Sequence, residues 1–236
     1  MKGEAALRVL NAEIVECRKC PRLVAHREKM AHEKRRAYRD WDYWGKPVPG
    51  FGDARAELLL LGLAPGAHGS NRTGRMFTGD RSGNFLYAAL HKAGFANQPD
   101  CSHRDDGLTL ENCYITAAAR CAPPDNKPLP AEVANCRGYL ERDLEIVKPK
   151  VVLALGKSAW DTYLGILQDR GIITSRRPYV FSHGAEAKLP GNTPLLIGVY
   201  HPSQQNTQTG RVTPAMYLTV LNHIRMILQT DSTKSG

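Results

Sequence analysis

Four short apolar runs dominate the 236-residue chain and limit what it can fold into. Residues Glu57 to Leu63, Tyr114 to Ala118, Val151 to Leu155 and Leu195 to Tyr200 are each too short for a helix and are set off by glycine, proline or polar residues. Runs of this kind, without polar alternation, are strands buried on both faces. Each is followed by a stretch with helical spacing. The first starts near Ser82, a natural N-cap, and would bury Phe85, Leu86, Ala89 and Leu90. The second starts at Pro130 and carries Val133, Leu140, Leu144 and Val147. The third carries Trp160, Tyr163, Leu164 and Leu167, and the last, after Pro214, carries Tyr217, Leu221, Ile224 and Leu228. Strands alternating with helices predict an α/β fold, a parallel sheet covered by helices on both faces. A further helix is expected over residues 4–16, where Leu7, Leu10 and Ile14 share a face.

A chain of this length is expected to form one domain, residues 1–236, with residues 1–55 packed on it and residues 230–236 as a frayed tail. Its composition, 42% hydrophobic and 23% charged, excludes a disordered or collagen-like chain. No apolar stretch approaches the ~20 residues of a membrane span. Glu4, Arg8, Glu13 and Glu16 occupy the place where a signal peptide would carry its apolar centre, so a cytoplasmic protein is expected. The formal net charge of +9 fits either a polyanionic partner such as nucleic acid or simply a basic, soluble surface.

Parallel α/β sheets place their sites at the carboxyl ends of the strands. That directs attention to residues 64–81, 119–129, 156–158 and 201–213. The segment GLAPGAHGSNRTGRMFTGDRSG, residues 62–83, is rich in glycines that let backbone approach a ligand closely, yet it is neither a P-loop nor a dinucleotide fingerprint. Phe77 within it is either a stacking platform for a planar base or part of a small satellite core. His201 directly follows a strand and is expected to point into the cleft. Residues 26–55 mix lysine and arginine with Tyr38, Trp41, Tyr43 and Trp44 and read as a long, partly helical surface excursion.

Cysteines in a cytosolic chain are metal ligands or buried thiols more often than disulfides. Cys17 and Cys20 form a C-x-x-C pair, and Cys121 and Cys136 could close a four-sulfur site for zinc or an iron–sulfur cluster. Spacing alone does not choose between them, and two unrelated buried thiols with a chance C-x-x-C is the other reading.

Three long segments carry a family resemblance. GLAPGAHGSNRTGRMFTGD, ITAAARCAPPDNKP and HPSQQNTQTGRVT resemble the first, middle and last motifs of family 5 uracil-DNA glycosylases, and the likeness runs from about Cys17 to the last helix. The resemblance implies a three-layer α/β/α sandwich with a central four-stranded parallel sheet. It implies a [4Fe–4S] cluster on Cys17, Cys20, Cys121 and Cys136. It also implies hydrolysis of the bond between uracil and deoxyribose after the nucleotide is flipped out of the duplex. Gly62, Leu63, Ala64 and His68 would line the base site, with Phe77 stacked on the uracil and His201 stabilising the departing anion. Ser203, Gln204, Gln205 and Asn206 would fill the hole left in the duplex. Arg75, Arg211 and the basic 26–46 stretch would hold phosphates.

The better-known uracil glycosylases carry an acidic residue before the motif's proline and an asparagine at the end of the second strand. Leu63–Ala64 and Ala117–Ala118 stand in those places here, as in family 5. A dissociative path is therefore expected, with Asp80 or Asn126 stabilising the sugar cation and His68 behind them; Asp80 as a helix cap and Asn126 as a turn former are the competing readings. Loss of the asparagine predicts a broad substrate range that includes hypoxanthine. A family 4 glycosylase is the alternative enzyme, and Leu63 stands against it where that family has glutamate. A non-catalytic iron–sulfur nucleic-acid-binding protein is the alternative class. The expected setting is DNA with deaminated bases, a monomer near the nucleoid, and downstream enzymes that process abasic sites.

Overall fold

The computed structural model describes residues 2–233, with side chains through residue 230. The chain opens with α1 (Lys2–Val15) and α2 (Pro21–Glu33), followed by a short 3₁₀ turn at Arg36–Tyr38. The sheet then alternates with helices: β1 (Phe51–Gly52), β2 (Leu58–Gly62), α3 (Ser70–Thr73), α4 (Arg81–Lys92), β3 (Cys113–Ala117), α5 (Pro130–Val147) and β4 (Val151–Leu155). It ends with α6 (Lys157–Asp169), β5 (Glu186–Ala187), β6 (Leu195–Val199), α7 (Gln204–Gln208) and α8 (Pro214–Thr233). The strand order is β1-β3-β2-β4-β6-β5.

The four expected strands form the parallel centre, β3-β2-β4-β6. The sheet is wider than expected: the two-residue strands β1 and β5 add an antiparallel edge on each side. Segments that short leave no readable pattern, because two residues carry no periodicity. They also cover the edges of the parallel core with irregular chain, which blunts edge-to-edge pairing.

Alternating side chains of the central strands feed two separate cores. Leu58, Leu60, Ile115, Val151, Leu153 and Ile197 meet α4 and α8 on one face. Leu59, Leu61, Tyr114, Val152, Ala154 and Leu196 meet α1, α5 and α6 on the other. The result is the three-layer α/β/α sandwich. β2 lies between β3 and β4, so the chain leaves it toward one side and returns on the other, and this opens the crevice at the strands' carboxyl ends.

Two boundaries differ from expectation. The N-cap of α4 is Asp80, not Ser82; its side chain accepts from the Gly83 N–H at 2.9 Å. The last helix runs to Thr233, three residues into the expected tail, and residues 234–236 of that tail lie outside the described residues.

One buried polar cluster fixes β3 against α5. Asp143 of α5 accepts from Tyr114 Oη at 3.0 Å and Thr116 Oγ1 at 2.6 Å, both from β3, and pairs with Arg120 just beyond the strand. All four residues are buried. A buried pair of this kind contributes little relative to apolar packing, but breaking it strands a charge. Asp143→Ala is therefore expected to destabilise the fold by about 3–5 kcal/mol, read from the midpoint of urea unfolding; a cost below about 1 kcal/mol would mean that the cluster is not holding β3 to α5.

Candidate active site

The glycine-rich loop after β2 folds back over the strand that starts it. Its residues Ser70–Thr73 form the single helical turn α3, and the chain then returns so that the Phe77 ring lies against Gly62, the last residue of β2. A Cβ at Gly62 would stand 3.0 Å from Phe77 Cε2, so glycine there makes room for the ring. Phe77 has a positive φ of 51°, a left-handed conformation that is costly for a bulky side chain. A strained residue held at the mouth of a strand-end cleft points to function more than to packing.

His201 arrives from the opposite direction, one residue beyond Tyr200 at the end of β6. Its ring centroid is 6.0 Å from that of Phe77, with the planes tilted by 35°. The backbone leading to it is fixed by side chains: the Tyr200 N–H donates to His183 Nδ1 at 3.3 Å, and Tyr217 Oη donates to the Tyr200 carbonyl at 2.7 Å. Asn206 Nδ2 donates to the His201 carbonyl at 2.8 Å. Burial pushes the His201 pKa down to about 4, so the imidazole is neutral at physiological pH.

Asp80 closes the glycine-rich loop at the start of α4. One carboxylate oxygen caps α4; the other faces Gly69, where a Cβ would come within 2.0 Å of it. Burial raises its pKa, opposed by the Gly83 and Ser82 N–H groups and by the charge of Arg72. The structure thus gives Asp80 the capping role at one oxygen and leaves the other at the loop. His68, in the same loop, is bonded to Tyr43 Oη at 3.1 Å, and burial followed by the charges of Arg35 and Arg72 lowers its pKa.

The other expected positions fall into three groups. Leu63 and Ala64 are partly exposed at the end of β2, and the Ala118 and Ala119 N–H groups donate to the Gly62 and Leu63 carbonyls, so both apolar pairs stand side by side with no carboxylate or amide. Ser203 caps α7 by accepting from the Asn206 N–H at 3.3 Å, and α7 exposes Gln204 and Gln205. Arg211 is exposed, its guanidinium 4.7 Å from the Tyr200 ring. Asn126 is exposed in a turn where it and Asp125 both have positive φ.

Arg75 does not hold phosphates. It is buried, its two terminal nitrogens bond Asp106 at 2.8 Å each, and its Nε bonds Thr78 Oγ1 at 2.9 Å. It braces the loop against residues 101–108 instead. The 26–46 stretch is likewise less free than expected. Its first part is α2, and its aromatics pack on the glycine-rich loop: Tyr38 and Trp41 on Arg72, Trp44 on Gly74, and Tyr43 on His68.

The four motif cysteines come together from four places in the chain: Cys17 after α1, Cys20 at the start of α2, Cys121 beyond β3 and Cys136 on α5. They line one small pocket with Arg120 and Asn135. Among the described residues, no three such groups converge closely enough to hold a single ion. Arg27 Nη1 donates to Cys121 Sγ at 3.0 Å and Asn135 Nδ2 to Cys20 Sγ at 3.4 Å. Buried Arg27 Nε and Arg120 Nε and Nη1 have no partner among the described residues. Arg27, Arg72 and Arg120 were not legible as site residues, since an arginine in sequence reads as surface charge.

This arrangement has relatives. Residues 49–225 match the family model described as Uracil DNA glycosylase superfamily. The chain belongs to that superfamily. It is 52% identical to the type-5 uracil-DNA glycosylase of Mycobacterium leprae, over 91% of this chain and 92% of the relative. It is 51% identical to that of Thermus thermophilus, over 94% and 96%. It is 30% identical to the type-4 uracil-DNA glycosylase of Archaeoglobus fulgidus, over 81% and 78%. The superfamily match starts after Cys17 and Cys20, so the C-x-x-C pair lies outside the matched residues.

The neutral state of His201 is directly measurable. Its imidazole resonance should not titrate above pH 5 in the free protein. The unfolded chain takes up that proton near pH 6.5 and the folded one only near pH 4, so this group's contribution makes stability decline as pH falls through that window. A midpoint near 6.5 in the folded protein would contradict the burial of the ring.

Proposed function

We propose that this chain is a type-5 uracil-DNA glycosylase, which flips uracil out of DNA and hydrolyses its N-glycosidic bond to start base excision repair. The observation that carries this is the pairing of Phe77 with His201 at the strand ends. A planar base fits against Phe77, and a neutral imidazole beside it has an N–H to donate to the oxygen where charge develops as the base leaves. A neutral donor costs less to keep buried than an imidazolium and is already in place when the charge forms.

Leu63–Ala64 offers no carboxylate to activate water. The reaction therefore runs through a dissociative path, in which the C–N bond breaks first, the electron pair leaves with the base, and water then adds to the sugar cation. Asp80 is the carboxylate that stabilises that cation, with Asn126 brought in from its turn when DNA binds. Gln204, Gln205 and Asn206 enter the duplex behind the flipped base, and Arg211 holds phosphate. Absence of an amide at Ala117–Ala118 leaves the base edge unread, so hypoxanthine is accepted beside uracil. The product is an abasic site, which an enzyme that cuts or processes abasic DNA must consume.

The cysteine pocket suits a [4Fe–4S] cluster held by Cys17, Cys20, Cys121 and Cys136. The four cysteines that line the pocket supply an all-thiol donor set of the kind such a cluster takes, and buried N–H groups of Arg27 and Arg120 without partners among the described residues stand by it. When bound, such a group ties the N-terminal turn to α5 and to the loop after β3. Cys136→Ser is expected to lose iron and acid-labile sulfide together and to lower the melting temperature; purified protein with zinc and no sulfide would replace the cluster with a zinc centre.

The enzyme reading is tested on a labelled duplex with one U opposite G, treated with alkali after incubation. Strand scission at the uracil is expected, reduced about 10²–10³-fold in His201→Ala. Tight binding without scission would make the chain a binding module.

A further inference from the structure

The geometry points to Arg72 as a positioning residue for Asp80: cornered by two aromatic rings, it ties two stretches of the glycine-rich loop together and holds a fixed positive charge beside the carboxylate. This rests on the reading of Asp80 as the carboxylate that serves the reaction.

Arg72 is only 3% exposed, and no carboxylate stands within ion-pair distance of it among the described residues. Its charge is met by other means. The guanidinium carbon lies 3.9 Å from the centroid of Tyr38 and 4.0 Å from that of Trp41. Its edge is spent on the loop: Nε donates to the His68 carbonyl at 2.8 Å and Nη2 to the Gly79 carbonyl at 2.6 Å. The Gly79 carbonyl belongs to the peptide that enters Asp80, so this bond fixes the carboxylate's backbone from one side while α4 fixes it from the other. Nη1 is buried without a hydrogen-bond partner among the described residues.

The rings come from the arm that precedes β1, and that arm is itself bonded to α3. The Trp44 N–H donates to the Arg72 carbonyl at 2.9 Å, and the Gly45 N–H to the Asn71 carbonyl at 3.0 Å. The two rings stand nearly edge to face, at 80° with centroids 6.4 Å apart, so they corner the guanidinium from two sides while its rigid fork bonds both carbonyls, a combination the point charge of an ammonium does not reproduce. The basic, aromatic arm is thus a clamp on the catalytic loop as well as a surface for DNA.

The groups that face Asp80 are Arg72 from the loop, the Gly83 and Ser82 N–H groups from α4, and the Cys101 thiol from the segment before β3. Burial favours the protonated acid, and Arg72 is the one full positive charge among these groups that opposes it. Removing that charge must raise the pH at which the carboxylate ionises.

The test is the pH profile of single-turnover uracil release. Arg72→Gln is expected to lower the rate about 10- to 100-fold and to move the acid limb up by about one pH unit. Arg72→Lys keeps the charge, so its acid limb should stay near that of the unaltered protein while the rate still falls. An Arg72→Gln enzyme with unaltered rate and acid limb would overturn the proposal. Should Arg72→Gln lose its near-ultraviolet dichroism, the double variant Tyr38→Leu/Trp41→Leu takes its place; slower release supports the clamp, and unaltered release overturns it. Asp80→Asn separates the two levels. If it retains full release, the carboxylate reading fails and the proposal with it; if it is inactive while Arg72→Gln is unaltered, only the role of Arg72 fails.

Discussion

The site depends on holding Phe77 where its backbone does not rest easily. A left-handed conformation at a bulky residue costs on the order of 1–3 kcal/mol and persists only when its surroundings over-determine it. Here they do. Met76, just before it, is buried, and its carbonyl accepts from Tyr87 Oη at 2.8 Å. Buried Arg75 anchors the chain two residues back to Asp106, and Asp80 three residues on is locked as the cap of α4. The loop is therefore a rigid frame, and the strain is concentrated at the one ring that faces His201.

The N-terminal segment serves this frame as much as the cysteine pocket. Arg27 of α2 donates to Cys17 O and Cys121 Sγ, and its own carbonyl accepts from Asn71 Nδ2 at 3.2 Å. Asn71 is the neighbour of Arg72 in α3. A continuous set of buried polar contacts thus runs from the cysteines to the glycine-rich loop, which explains why residues ahead of the superfamily match belong to the working unit. It is a mechanical link; nothing in it requires the cysteines to take part in chemistry.

Much of the fold was legible because the deciding signals were local. Four apolar runs and four helical stretches were enough to place the parallel strands within a residue or two. The edge strands β1 and β5 were not, being too short to carry a pattern. At the site, strand-end position alone marked His201 and the glycine-rich loop marked Phe77, and the two rings do meet. Arg75 was misread because its partner, Asp106, is 31 residues away and carries no motif. The packing of the aromatic arm on the loop was not legible, since Tyr38 and Trp41 lie on Arg72, a cation whose burial only the fold reveals. Ser82 was taken as the cap where Asp80 serves; both are good capping residues, and helix ends are the least determined part of a sequence pattern.

The central claim is that Phe77 and His201 together hold a flipped base. A crystal structure of the protein with a duplex carrying 2′-fluoro-deoxyuridine, whose glycosidic bond resists cleavage, tests it most directly. The account predicts the uracil extruded from the helix, stacked on Phe77 and within hydrogen-bonding distance of a His201 nitrogen. A uracil still paired in the helix, or extruded into a site away from the Phe77 and His201 rings, would contradict it.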